Sequence, residues 1–336
     1  EGQKTLTTPS SKVLGRDSFK GMGVDFGDLN GDGRPDIYVS NIAAEFALLE
    51  SHFAFLSTGE TGLMREGVAP YVDRSEALGL SRSGWAWESR LGDFDNDGTL
   101  EALQAVGFVR GKVNRWAELQ ELAMGNDELL SDPTSWPRFA QGDDLSGHLR
   151  NPFFVREGPG GRFRDVAASL DLAEPGVSRG IATADVDGDG RLDMAIANQW
   201  APSSFHHNRS LDVGSFLGLH LRIPLRDGPT RARAGHPGAD TPGRPAIGAE
   251  ATVLLPDGRR LFAQVDGGNG HSGKRCPDIH FGLGRVSAAI PLKVSLRWRE
   301  PGGLVRGDEL SLTPGWHTVQ LGRGDATAGA TEAHGR

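Results

Sequence analysis

Three stretches of nine residues repeat one arrangement of polar groups, and that repetition limits the fold more than anything else in the chain. They are Asp28-Leu29-Asn30-Gly31-Asp32-Gly33-Arg34-Pro35-Asp36, Asp93-Phe94-Asp95-Asn96-Asp97-Gly98-Thr99-Leu100-Glu101 and Asp185-Val186-Asp187-Gly188-Asp189-Gly190-Arg191-Leu192-Asp193. Each carries Asp or Asn at positions 1, 3 and 5, glycine at 6 and an acid at 9. Alternate positions of a tight loop point the same way, so side chains 1, 3 and 5 converge on one point. The glycine permits the sharp turn because it enters positive φ without penalty. Convergent oxygens suit calcium, a hard cation that takes about six to eight of them at roughly 2.3–2.6 Å. The backbone carbonyl at position 7 (Arg34, Thr99 or Arg191) and the acid at position 9 would close the shell. One acidic turn reads equally well as a solvated hairpin; three in the same register point to about three calcium ions.

An EF-hand is excluded, since it needs a Glu at loop position 12 and flanking helices. Position 12 here is Val39, Gln104 or Ile196. The flanks read as strands instead: 36–40 and 193–197 follow loops, and 180–184 precedes one. The repeating unit is therefore strand, loop, strand.

Composition agrees with a turn-rich β protein: 48 of 336 residues are Gly and only 7% are aromatic. The net charge is −8, much of it in the three loops, and no basic stripe invites nucleic acid. Cys276 is the sole cysteine, which excludes an intrachain disulfide. No transmembrane run or signal peptide is visible. The chain starts at Glu1 without a Met, and we expect a processed product or a fragment, either bacterial cytoplasmic or secreted.

In chain order, residues 1–18 are a polar N-terminal segment, and repeats fill 19–213. The segments 71–80 and 162–172 align by eye and herald the second and third repeats. An insertion at about 111–150 separates the later loops. Within it, Trp116, Leu119, Leu122, Met124, Leu129 and Leu130 have roughly helical spacing, which predicts a helical excursion acting as a cap or as a packing element. A second domain spans 214–322. It opens with alternating Leu217, Leu219, Leu221 and Ile223, and continues with a hairpin around Pro256-Asp257-Gly258-Arg259 and strands at 292–298 and 317–321. Composition predicts that 226–246 is mobile and that 323–336 is a disordered tail.

The repeats resemble FG-GAP/VCBS repeats of integrin-type β-propellers. The second domain resembles ASPIC/UnbV, through Ala246-Ile247-Gly248-Ala249-Glu250, Gly267-Gly268-Asn269-Gly270-His271-Ser272 and Asp278-Ile279-His280-Phe281-Gly282-Leu283-Gly284. The combination is that of the cartilage-acidic-protein (CRTAC-like) family, whose bacterial UnbV members are named from enediyne polyketide gene clusters. The resemblance implies an all-β fold: an FG-GAP-type propeller, whole or partial, then a small β-sandwich-like domain. Such propellers usually have about seven blades. About 200 residues suffice for three or four, so the expected partner is a second polypeptide or symmetry mate completing the ring.

Other candidate residues carry weaker patterns. His206 and His207 are adjacent in an extended segment and point to opposite faces, so they are poor joint ligands for one metal. His271 and His280 lie in the family motif; His280 reads best as a structural hydrogen-bonding group. All four are weak acid–base candidates. Trp85, Trp87 and Trp200 read as core or, on a propeller face, as a stacking surface for a polycyclic aromatic small molecule. No nucleophile elbow, Walker loop, dinucleotide fingerprint or zinc spacing is present, so no organic cofactor is expected. Two functional classes lead: a cofactor-free protein of enediyne-type polyketide biosynthesis, promoting proton transfer or C–C bond formation, and an extracellular calcium-dependent adhesion scaffold. A third is a purely structural subunit.

Overall fold

The computed structural model describes residues 14, 21–43, 51–118, 132–158, 160–268, 271, 275–300 and 302–323. The protein is nearly all β, a propeller-like arrangement of five sheets in which the repeats build three and the C-terminal domain two. The first sheet runs β1 (Val24–Gly27), β2 (Asp36–Val39), β3 (Phe53–Ser57) and β4 (Tyr71–Asp73), in that order and antiparallel. The second begins with β5 (Ala86–Gly92) and β6 (Glu101–Val106). The chain then forms a short parallel pair, β7 (Val113–Asn114) with β8 (Asp143–Asp144), before β9 (Phe153–Arg156) and β10 (Phe163–Asp165) complete the sheet. The third has three strands, β11 (Ser178–Ala184), β12 (Asp193–Asn198) and β13 (Ser204–His206). Each nine-residue loop joins the first two strands of its sheet, because its polar, glycine-bearing run breaks the alternation that its flanks keep.

Buried side chains weld neighbouring sheets. Leu29, Tyr38 and Ala54 of the first pack with Ala102, Phe154 and Phe163 of the second. Leu103, Ala105 and Phe153 of the second pack with Ile181, Met194 and Ile196 of the third. Polar groups tie the leading strands too. Asp25 accepts from the Leu91 amide at 2.8 Å, Glu88 from the Ile181 amide at 2.6 Å, and Arg90 donates twice to Thr183 Oγ1 at 3.0 and 2.9 Å.

The C-terminal domain is a two-sheet sandwich. One sheet holds β14 (Ser215–Pro224), β15 (Arg231–Ala234) and β16 (Gly243–Pro245), and the other β17 (Glu250–Leu254) and β18 (Arg260–Gln264). The strand β19 (Ile279–Gly284) joins the first, β20 (Leu292–Arg299) and β21 (Val305–Leu312) the second, and β22 (Gly315–Gln320) returns parallel to β14. Alternation sets the inner faces: Leu217, Leu219, Leu221 and Ile223 meet Val294, Leu296 and Trp298 in one core.

Several expectations change. The stretch 226–246, expected to be mobile, supplies two strands, β15 and β16. Their main-chain groups pair with β22 and β14, so pairing needs no apolar side chains there. The helical reading of 114–130 falls mostly on 119–131, outside the described residues, as do 1–18 (except 14) and the tail from 324. The partner strand that would complete the ring is expected at an edge near 19–27 or 194–199. However, β12 has both sides taken, by β11 and β13, so the outer strand of that sheet is β13. No helix among the described residues is long and apolar enough to cross a membrane.

Candidate metal loops and the adjoining cavity

The three loops are built alike. The position-1 carboxylate accepts from the position-6 amide: Asp28 from Gly33 at 2.7 Å, Asp93 from Gly98 at 2.8 Å and Asp185 from Gly190 at 2.8 Å. The position-9 acid reaches back to the position-2 amide: Asp36 to Leu29 at 2.8 Å, Glu101 to Phe94 at 2.8 Å and Asp193 to Val186 at 3.1 Å. Position 5 accepts from position 7, Asp32 from Arg34 at 3.0 Å, Asp97 from Thr99 at 2.6 Å and Asp189 from Arg191 at 2.9 Å. These bonds fix the carboxylates and leave each with lone pairs to spare, since an ionised carboxylate has about four acceptor sites. Asp93, Asp95 and Glu101 place carboxylate oxygens within 4.8 Å of one another, as do Asp185, Asp187 and Asp189. The first loop has Asn30 at position 3, and its acids form no such three-residue group among the described residues. The donors of loops one and two are all oxygens, the set that suits calcium.

Burial sharpens the argument. Desolvation pushes Asp36 up to about 7 and Asp93 up to about 8, and it raises Glu101 well above the usual carboxylate range. Buried acids facing one another call for a proton or a cation. Arg34 and Arg191 turn their side chains back on Asp32 and Asp189, whereas Thr99 leaves loop two without that counter-charge.

The histidines separate. His207 Nε2 lies 3.1 Å from Asp187 Oδ2 and 3.9 Å from Asp193 Oδ1, so it stands beside loop three. His206 points elsewhere, to Ser204 Oγ at 3.0 Å, and burial lowers its affinity for a proton. His280 holds the Gly190 carbonyl at 3.0 Å and stacks on Phe216 at 5.4 Å, a structural bond as expected. His271 is exposed, with its ring 4.9 Å from Trp87. Trp85 and Trp87 stack with each other at 5.9 Å and with Phe108, and Arg179 lies 4.3 Å over Trp87. Trp200 does not join them; it is 73% exposed on the turn after β12. All three lie at the strand ends remote from the acidic loops, because each is separated from its loop by the length of β5 or β12.

The C-terminal domain seats on the loop ends. In loop two the Asp95 carbonyl accepts from the Gly214 amide and the Asn96 carbonyl from the Gly284 amide. The Asn96 side chain donates to the Gly214 carbonyl at 3.3 Å and to the Gly190 carbonyl of loop three at 2.9 Å. Trp316 Nε1 donates to Asp185 Oδ2 at 2.6 Å. Gly190 is required: its φ is +87° and a Cβ there would run into the Phe216 ring. Between the three leading strands and this domain lies a cavity of about 280 Å³. Its wall holds groups to which the sequence assigns no site role. Arg275 bridges Asp25 and Asp266. His220 Nδ1 lies 2.5 Å from Asp278 Oδ1, and His220 Nε2 lies 2.8 Å from His236 Nδ1. Cys276 donates to Asp278 Oδ2 at 2.7 Å; desolvation and that carboxylate push its thiol up to about 12, so it is no thiolate. Burial works to raise Asp278, but bonds from His220 and Cys276 win and hold it below the usual range.

Residues 239–328 match the family described as ASPIC and UnbV. Two solved structures are similar over most of the chain, at low structural agreement. The first is titled "Ca2+-stabilized adhesin helps an Antarctic bacterium reach out and bind ice": identity is 13%, 93% of this chain and 67% of that chain are covered, and the TM-score is 0.17. The second is described as a tetra-tandem repeat in the extending region of a large adhesion protein: identity is 8%, coverage 90% and 68%, and the TM-score 0.14. No curated protein matches the chain. The ASPIC/UnbV match and the propeller-like sheets preceding it together support a likeness to the CRTAC/UnbV type.

Proposed function

We propose that this is a calcium-dependent binding scaffold in which ions in the three loops fix the platform that seats the C-terminal domain. The observation that carries it is the threefold repetition of one loop geometry directly beneath that domain. The ligands are Asp28, Asn30, Asp32 and Asp36, then Asp93, Asp95, Asp97 and Glu101, then Asp185, Asp187, Asp189 and Asp193, with the carbonyls of Arg34, Thr99 and Arg191. Each ion would neutralise acids that otherwise repel. Binding to the native state alone adds RT ln(1 + [L]/Kd), about 2.7 kcal/mol at a hundredfold excess over Kd. Melting in calcium and in chelator should differ by several degrees, and equal melting temperatures would remove calcium from the account. A second chain adding a strand at β13 belongs to the same reading; a native mass above one chain would support it.

A second reading is favoured by the cavity. Here the protein acts in enediyne-type polyketide biosynthesis, binding a polycyclic aromatic intermediate and promoting cofactor-free proton transfer or C–C bond formation. Mixed apolar and charged lining supports a small-molecule pocket. Tryptophan fluorescence on titration with an anthraquinone-like compound tests it: saturable quenching is expected, and its absence favours the scaffold without a ligand. Trp200→Ala should leave quenching intact if the compound enters the cavity and weaken it if the compound stacks on the opposite face.

A further inference from the structure

We propose that Asp278, His220 and His236 form a proton-accepting relay serving this cavity, with His236 Nε2 as the accepting atom and an aromatic carbon acid as the substrate class. The inference deepens the second reading above. Three elements bring the groups together: His220 sits on β14, His236 follows β15, and Asp278 precedes β19.

Hydrogen-bond arithmetic fixes the direction of the chain. An ionised Asp278 only accepts, so His220 Nδ1 must carry the proton that points at it. A neutral His220 then has a lone pair on Nε2. That nitrogen is 2.8 Å from His236 Nδ1, which must therefore be the N–H donor. The remaining lone pair of the chain falls on His236 Nε2, on an exposed residue that lines the cavity. When that nitrogen takes a proton, the Nδ1 proton of His236 can pass to His220. The positive charge then rests beside the Asp278 carboxylate, where it is best stabilised. Trp316 packs flat on His220 at 4.7 Å and 20°, which restricts that ring, and the His236 ring is inclined 57° to it.

The same cavity can hold the ligand body: Phe262, Phe281 and Trp316 line it and suit an aromatic ring system. In the step, a C–H bond of the ligand breaks, its proton goes to His236 Nε2, and its electron pair stays on the ligand. No oxidant or organic cofactor is consumed.

The probe is 5-nitrobenzisoxazole, a flat bicyclic carbon acid. Loss of its C–H proton sends that electron pair into a nitrile as the N–O bond breaks, releasing a coloured phenolate. The calcium-loaded protein should accelerate ring opening by roughly a hundredfold over the same concentration of imidazole. His236→Ala, at an exposed position, should abolish the gain. Asp278→Asn should abolish most of it, because Asp278 acts through His220 as a positioning residue. Ring nitrogen NMR should find both His220 and His236 protonated at Nδ1, with Asp278→Asn disturbing both. A rate no faster than imidazole, an undiminished rate in His236→Ala, or a protonated Nε2 on neutral His236 would each overturn the relay. Failure of anthraquinone quenching with an active relay would instead remove only the polyketide ligand.

Discussion

Loops two and three share an open middle, Asp95 and Asp97 in one and Asp187 and Asp189 in the other, and a buried position 9, but they differ at position 1, where Asp93 is buried and Asp185 only half-buried. In loop two, Asp93 is 3% exposed and Glu101 4%, and the domain above presses Gly282 and Gly284 against Asn96. In loop three, Asp187 and Asp189 are open to water, Arg191 pairs with Asp189, and His207 stands beside Asp187. One sequence pattern thus yields two electrostatic problems. In loop two positions 1 and 9 are both buried and the Arg259 guanidinium meets the loop at the Asp97 carbonyl, so the buried acids draw their counter-charge from solution. Where the loop is open, its own side chains and solvent supply part of it. The difference comes from the motif, which has Thr99 where loop three has Arg191, and from the docked domain, whose Gly282 lies against Asp93.

The strongest way to break this contrast is to remove one carboxylate from each loop. Asp93→Asn keeps the shape and takes away a buried charge. With calcium present it should cost roughly 3–5 kcal/mol, because a buried charge constellation loses one partner. In chelator the loss should shrink, since the buried Asp93 carboxyl then holds a proton and the neutral amide takes the place of a neutral group. Asp187→Asn should move stability far less in either condition and remove one ion, leaving the other two bound. Thermal unfolding of both variants with and without chelator reads the result. Equal losses in the two loops would mean that burial does not set the demand for the ion.

The pH dependence follows from the same burial. Asp36 and Asp93 have folded-state values of about 7 and about 8, raised from 3.8. A raised acid binds its proton more tightly when folded. Its contribution is complete below about pH 4 and is lost as pH climbs to about 8. Chelated protein should therefore lose stability across that window, and calcium should flatten the slope by replacing the proton. A chelated protein that grows more stable toward pH 8 would contradict the desolvation account.

How much of this was legible beforehand depended on the range of the interactions. The loops, their strands and the alternating faces of β14 and β20 follow from local periodicity, and the structure carries all of them. The opposite facing of His206 and His207 also followed from the alternation of extended backbone. The cavity was hidden because its groups come from β1, β5, β14, β18 and the turn before β19. His220 did leave a trace, a lone polar residue between Leu219 and Leu221 at a strand position. His236 left none, because the Arg-, Pro- and Gly-rich run around it looks unstructured until β22 pairs with it. The three tryptophans lie near the loops in sequence, but a strand carries each to its far end.

A substitution at the seam tests whether docking itself matters. Gly190→Ala introduces a Cβ at a left-handed backbone position and against Phe216, at a cost of roughly 1–3 kcal/mol. The loss should come with weaker calcium binding at loop three alone, measured by titration calorimetry. Loss of stability with unchanged calcium affinity would separate the ion from the docked domain.

The smallest expected effect comes from Trp316→Phe. The change keeps an aromatic face over His220 and removes the Nε1 donor that reaches Asp185 Oδ2 at 2.6 Å. That oxygen also accepts from the Gly190 amide, so it is not left bare. One hydrogen bond to a charged group should cost roughly 1.5 kcal/mol. The loss should shrink when calcium is bound, because the ion then orients Asp185 without help from the indole. In loop two the corresponding tether is backbone, from Gly284 to the Asn96 carbonyl at 2.7 Å, and no side-chain change can remove it. Loop two should accordingly keep its calcium affinity in Trp316→Phe while loop three weakens slightly. If both sites weaken together, the domain settles on the loops as one rigid piece, and the contrast between them lies only in burial.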